Sequence, residues 1–197
     1  MDTATGELTP WEQRDRLGLG PGLIDTLRQS AFSPGKFFAA LRPDVPWTEA
    51  FWYGWLLQSL FGAAGAVLFL LQTFGAAAAT PLRLLGLLIV PLAPVVLYPA
   101  IVLVLGAVVH LLALLLRAAH RGLGATLRAV CYSGLSVGLL LSVSPLGLWG
   151  LVIGVFALAS LQGTTRARAA IVLVAAELLL GAAFIIPLGI YLAHHLP

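Results

Sequence analysis

The chain has 197 residues, 60% of them hydrophobic and 10% charged, with a mean hydropathy of +1.00. Soluble domains carry roughly 25% charged residues, so this composition excludes an ordinary water-facing surface and makes the bilayer the solvent for most of the chain. The net charge of +3 comes without a basic run interleaved with aromatics, and Lys36 is the sole lysine, which argues against a nucleic-acid partner and for a role in membrane orientation.

Residues 1–22 read as a flexible cytoplasmic arm, with mixed acids and arginines followed by Gly18, Gly20 and Gly22 around Pro21. No strand precedes these glycines and no Gly-Lys-Ser/Thr follows, which argues against a phosphate loop. The first thirty residues lack an apolar h-region, so no cleaved signal peptide is expected. Residues 23–46 form an amphipathic segment, in which Leu23, Ile24, Leu27, Ala31 and Phe32 supply an apolar stripe. Ser33-Pro34 is a helix start, with Ser33 as N-cap and Pro34 at the first helical position. Phe37 and Phe38 then sit beside Lys36 and Arg42. That pattern suits a helix lying in the headgroup region, and equally a helix packed under the spans.

Residues 47–197 are the predicted membrane domain. Trp47 and Trp52, with Tyr53 and Trp55, form an interfacial aromatic belt at the start of span one, 50–74. Prolines at 91, 94 and 99 divide the next apolar run and set span two at 95–116. Spans three and four, 125–143 and 148–162, form a short hairpin around Ser144-Pro145-Leu146-Gly147, and span five covers 169–193. The expected fold class is all-α: an integral membrane bundle of five transmembrane helices with a short amphipathic N-terminal segment. On this layout Arg14, Arg16, Arg28, Lys36, Arg42, Arg117, Arg121, Arg128, Arg166 and Arg168 share one side, and Arg83 alone lies on the other. The positive-inside rule then puts the N-terminus in the cytoplasm and the C-terminus on the opposite side. Abundant Ala, Leu and Gly, and Arg in place of Lys, point to a GC-rich genome and a bacterial cytoplasmic membrane.

Glu177 is the one acid inside a predicted span. A carboxyl group is costly there, so it marks either a transport path or a hydrogen bond that locks helices together. His110, late in span two, carries the same two readings: a proton shuttle or an interhelical bond. Small residues at packing spacing, Gly62 with Ala66, Gly134 with Gly138 and Gly150 with Gly154, are candidate helix contacts. Cys131 stands alone and His194-His195 has no third ligand nearby, so no metal site or cofactor is expected. No His-Glu-x-x-His or Walker pattern occurs, and no catalytic residue is assigned.

Five stretches carry a family likeness: Ser33-Pro34-Gly35-Lys36-Phe37-Phe38, Gly106-Ala107-Val108-Val109-His110-Leu111, Leu127-Arg128-Ala129-Val130-Cys131-Tyr132-Ser133, Pro145-Leu146-Gly147 and Leu161-Gln162-Gly163. In this order the chain resembles prokaryotic members of the Yip (Ypt-interacting protein) family over roughly residues 26–193. The resemblance implies five spans, a cytoplasmic N-terminus and a short far-side C-terminus, with no catalytic signature. The Asp-Leu-Tyr/Trp-Gly-Pro motif of eukaryotic relatives is reduced here to Asp44-Val45-Pro46-Trp47, which weakens any inference of a GTPase partner.

The functional expectation is a non-enzymatic membrane protein. It organises the bilayer or recruits an unidentified protein at its cytoplasmic face, with the lipid bilayer and a second copy of the chain as the other partners. The alternative is a small oligomeric transporter or channel using Glu177 and His110.

Overall fold

The computed structural model describes residues 6–42, 45–74, 92–134 and 145–195. Among these, eight helices and no strand occur: α1 (Arg14–Leu17), α2 (Leu19–Phe32), α3 (Pro34–Ala40), α4 (Trp47–Phe74), α5 (Ala93–Leu115), α6 (Leu123–Ser133), α7 (Pro145–Gln162) and α8 (Arg166–His195). One of them, over Val95–Leu115, meets the length and hydropathy expected of a membrane-crossing helix among the described residues. The loop with Arg83 and the apolar run as far as Pro91 lie outside the described residues.

The hub is α6. Its residues from Thr126 to Ser133 are all buried, on every side of the helix. It packs against α4, α5 and α7, while α8 closes against α5 and α7, and α3 lies on α7. A helix buried all round is usually apolar throughout, yet this one carries Arg128, 1% exposed. Of the predicted third span, 125–143, residues 135–143 lie outside the described residues, and the described part ends as a helix at Ser133. Gly134 has φ +64°, a left-handed C-cap that ends α6 after eleven residues, and glycine adopts that conformation without a Cβ clash.

The outer helices bury one stripe each. On α5 the stripe is Tyr98, Val102, Leu105, Val109 and Ala113, while Val96, Leu97, Val104 and Leu111 stay exposed on the same apolar helix. On α8 the buried set is Ala169, Val172, Leu173 and Ala176, at helical spacing. Pro99 interrupts α5 and, lacking an N–H, leaves the Val95 carbonyl without its helical donor. Trp55 of α4 supplies the replacement, its Nε1 donating to Val95 O at 2.9 Å. Trp55→Phe should therefore cost about 1–3 kcal/mol by stranding that carbonyl, read as a lower melting temperature in detergent.

Close helix approach occurs at glycines other than those expected from small-residue spacing. A Cβ on Gly54 of α4 would overlap the Tyr98 hydroxyl and lie 3.1 Å from the Cys131 carbonyl oxygen. One on Gly106 of α5 would overlap the Leu127 side chain. Gly134 and Gly150, by contrast, have nothing within 4 Å of that position among the described residues. Gly154 is buried, Gly62 is half-buried, and Gly138 lies outside the described residues.

The N-terminal segment departs most from expectation. Residues 6–17 are docked on the bundle rather than free, and α2 starts directly after Gly18 (φ +90°), taking Gly20, Pro21 and Gly22 into its first turn. Glu7 pairs with Leu41 in a single bridge, Glu7 N donating to Ala40 O at 2.6 Å and Arg42 N to Glu7 O at 3.2 Å. Trp11 is buried. Its backbone N donates to Thr26 Oγ1 at 2.8 Å, and its Nε1 donates to Glu49 O at 2.8 Å. The Trp11 ring lies edge-on to Tyr53 at 5.9 Å, under the Arg14 guanidinium, which pairs with Glu49 at 2.6 Å.

Pro34 opens α3 as expected, with Ser33 at the N-cap position but making no side-chain cap bond. Phe37 and Phe38 are buried at 6% and 1% exposure, so they are core residues beneath the bundle rather than headgroup anchors. Lys36 is exposed, Trp47 half-buried and Trp52 exposed.

Candidate functional site

Two polar clusters meet on α6. The first is built around Glu12, whose side chain and that of Arg128 are each 2% exposed. Thr9-Pro10-Trp11-Glu12 makes the reciprocal bonds of a capping box. Glu12 N donates to Thr9 Oγ1 at 3.0 Å, and Thr9 N donates to Glu12 Oε2 at 2.8 Å. The other carboxylate oxygen accepts from Arg128 Nη2 at 2.6 Å and from the Tyr132 hydroxyl at 2.8 Å. Tyr132 has a single proton, which goes to the carboxylate, so the Thr9 hydroxyl 3.1 Å away donates to Tyr132. Arg128 Nη1 donates to the Arg42 carbonyl, which ties the linker after α3 to the same guanidinium.

Arg128 and Tyr132 lie one turn apart and so share a face of α6. The Arg128 guanidinium sits 5.8 Å from the Tyr132 ring. The sequence places Arg128 among the loop charges of the cytoplasmic side; the structure makes it an interior cation neutralised by Glu12. A buried carboxylate with three donors, one of them a guanidinium, is a closed unit. Its geometry holds Thr9–Glu12 against α6 and leaves both charges compensated.

The second cluster contains His110. Its Nδ1 lies 2.9 Å from Thr126 Oγ1 on α6. Gln162, fully buried at the end of α7, donates through Nε2 to Thr126 Oγ1 at 2.7 Å and to Gly122 O at 3.3 Å. Its Oε1 accepts from Arg121 N at 2.8 Å. Three helices and the loop before α6 are thus pinned at one point. Gln162→Leu should cost about 1–3 kcal/mol, because Thr126 and the Arg121 amide lose buried partners, and thermal unfolding in detergent reads it.

Glu177 is half-buried on α8 and is not without a polar or electrostatic partner. His110 is held in the α6 cluster by its bond to Thr126. Among the described residues no group of three or more His, Cys, Asp or Glu is placed to hold a metal. Glu12, Thr126, Arg128, Tyr132 and Gln162, none of them singled out as a site residue from the sequence, make up these two buried clusters. One of them carried a legible signal: Thr9-x-x-Glu12 with Pro10 after the cap is a helix-start signature. No family model, curated protein or solved structure matches this chain.

Proposed function

We propose that the protein is a non-enzymatic, multi-pass protein of a bacterial cytoplasmic membrane, on the five-span Yip-type plan. It acts by fixing its N-terminal helices at the cytoplasmic face, where they engage lipid and organise the membrane or a recruited partner. One observation carries this reading. Helix α2 buries Gly22, Thr26 and Ser30, and its outer face exposes Leu19, Ile24 and Phe32 at 60%, 63% and 82% beside the exposed Asp25, Arg28 and Gln29. Large apolar residues exposed among charged and polar ones fit the interfacial layer of a bilayer, which takes both.

The wider surface supports the same medium. Exposed Leu60 and Phe61 on α4, Leu103 and Val104 on α5, and Leu178 and Leu179 on α8 give each long helix an apolar outer side. At 28 and 30 residues, α4 and α8 have lengths that reach across a core of about 30 Å at 1.5 Å per residue. The transporter alternative draws less support, because His110 is engaged in a network that pins three helices.

The test uses a bimane label on Phe32→Cys in a Cys131→Ala background, in proteoliposomes. Quenching by a chain-attached lipid quencher, with little quenching by aqueous iodide, is the expected result. Iodide quenching without lipid quenching would contradict the reading.

A further inference from the structure

Helix α5 ends on an arginine at a position that favours glycine. Arg117 N donates to Leu114 O at 3.0 Å and Ala118 N to Ala113 O at 2.7 Å, the paired bonds of a Schellman cap, and Arg117 takes φ +51°. Helix α7 ends in the same way, but on Gly163 at φ +68°, with Gly163 N on Ser160 O and Thr164 N on Ala159 O. Glycine takes this left-handed conformation without a Cβ clash. The α5 cap therefore gains nothing from a side chain at 117, and what the arginine adds is its guanidinium. That group is exposed and makes no hydrogen bond, ion pair or ring contact among the described residues.

The charge around it has one sign. Arg168, at the start of α8, donates through Nη1 to the Arg117 carbonyl at 3.2 Å, which brings the two arginines together. Arg121 is held on the Ser160 and Leu161 carbonyls, and Arg166 lies over the Phe156 ring at 4.6 Å. The sequence has no Asp or Glu between Glu49 and Glu177, and the ion pairs of Arg14 with Glu49 and Arg128 with Glu12 use none of these four cations. Counter-charge for this end has to come from outside it. Within about two turns of Arg117 and Arg168, the packed helices α5 and α8 expose Leu111, Leu114 and Leu115 on one and Ile171 and Val174 on the other. Uncompensated cations at the end of an apolar seam match an amphiphile with an anionic head and acyl chains.

We propose that Arg117, together with Arg168, forms a headgroup site for an anionic phospholipid, whose chains lie along the exposed apolar sides of α5 and α8. The site rests on the membrane reading above.

The melting midpoint of the protein in a neutral detergent, titrated with lipid, reads the binding. Phosphatidylglycerol should raise the midpoint saturably by several degrees, while phosphatidylcholine and inorganic phosphate at constant ionic strength should not. Arg117→Gly suits the left-handed cap, so its baseline midpoint should hold or rise, yet its apparent affinity for phosphatidylglycerol should fall about tenfold. Arg16→Gln removes the same charge from an exposed position on α1 and should weaken that affinity by less than about threefold. No response to phosphatidylglycerol, an equal response to phosphatidylcholine or inorganic phosphate, or an affinity that falls no further in Arg117→Gly than in Arg16→Gln would overturn the site. With lipid quenching at Phe32 retained, any of these results leaves the membrane reading standing and removes this site alone.

Discussion

Glu12→Ala should destabilise the folded protein by about 3–5 kcal/mol, the usual cost of leaving one partner of a buried ion pair alone. The substitution strands Arg128 at 1% exposure and takes the acceptor from the Tyr132 hydroxyl and from Thr9 N. For a chain of this size the melting temperature should fall on the order of 10 °C. Arg128→Met alone should also be damaging, since Glu12 then keeps a buried charge without its cation. The double variant Glu12→Leu with Arg128→Met should lie above either single variant, because two apolar groups replace a pair whose desolvation is expensive. Thermal unfolding of the parent, Glu12→Leu, Arg128→Met and the double variant in one detergent closes the cycle. Additive losses in the double variant would contradict the pairing.

Gly54→Ala should be the most damaging single-methyl change in the long helices. The added carbon would meet the Tyr98 hydroxyl, and it would crowd the Cys131 backbone oxygen at 3.1 Å. Tyr98 is 1% exposed and stacks near Phe51 with ring centroids 5.7 Å apart, so it has little room to yield. Overpacking of this kind costs about 1–3 kcal/mol. Gly106→Ala meets only the end of Leu127, a flexible side chain, and should cost less. Gly150→Ala meets nothing within 4 Å and should stay within about 0.5 kcal/mol of the parent. The same melting series orders the three. Equal effects at Gly54 and Gly150 would contradict the close crossing of α4 with α5 and α6.

The long helices were legible because their apolar runs are long. Expected starts at 50, 148 and 169 fall three residues inside the observed starts at Trp47, Pro145 and Arg166, and the expected start at 95 falls two inside Ala93. In each case a hydropathy pattern begins only where polar or proline-bearing first turns end. The hub was not legible. Arg128 sits in a run of basic residues, and nothing in the sequence says that its face of α6 turns inward onto an acid 116 positions away. The glycines at 18, 20 and 22 favour a loop by composition, yet the segment around them is fixed by Trp11 and Thr26, a contact between elements that local propensity does not contain. Phe37 and Phe38 show the same limit: aromatic residues beside basic ones suit a headgroup layer or a core equally, and packing against Tyr132 at 6.1 Å from Phe37 decides it. Small-residue spacing does not point to Gly54 or Gly106, because close approach depends on where helices cross.

The N-terminal segment is a fixed part of the bundle, clamped to α6 by Glu12. Hydrogen–deuterium exchange of the protein in nanodiscs reads this clamp. Amides from Trp11 to Leu17 should exchange slowly, close to the rate of α6, and should lose that protection in Glu12→Ala. Complete exchange of these amides in the parent protein at the shortest labelling time would contradict it.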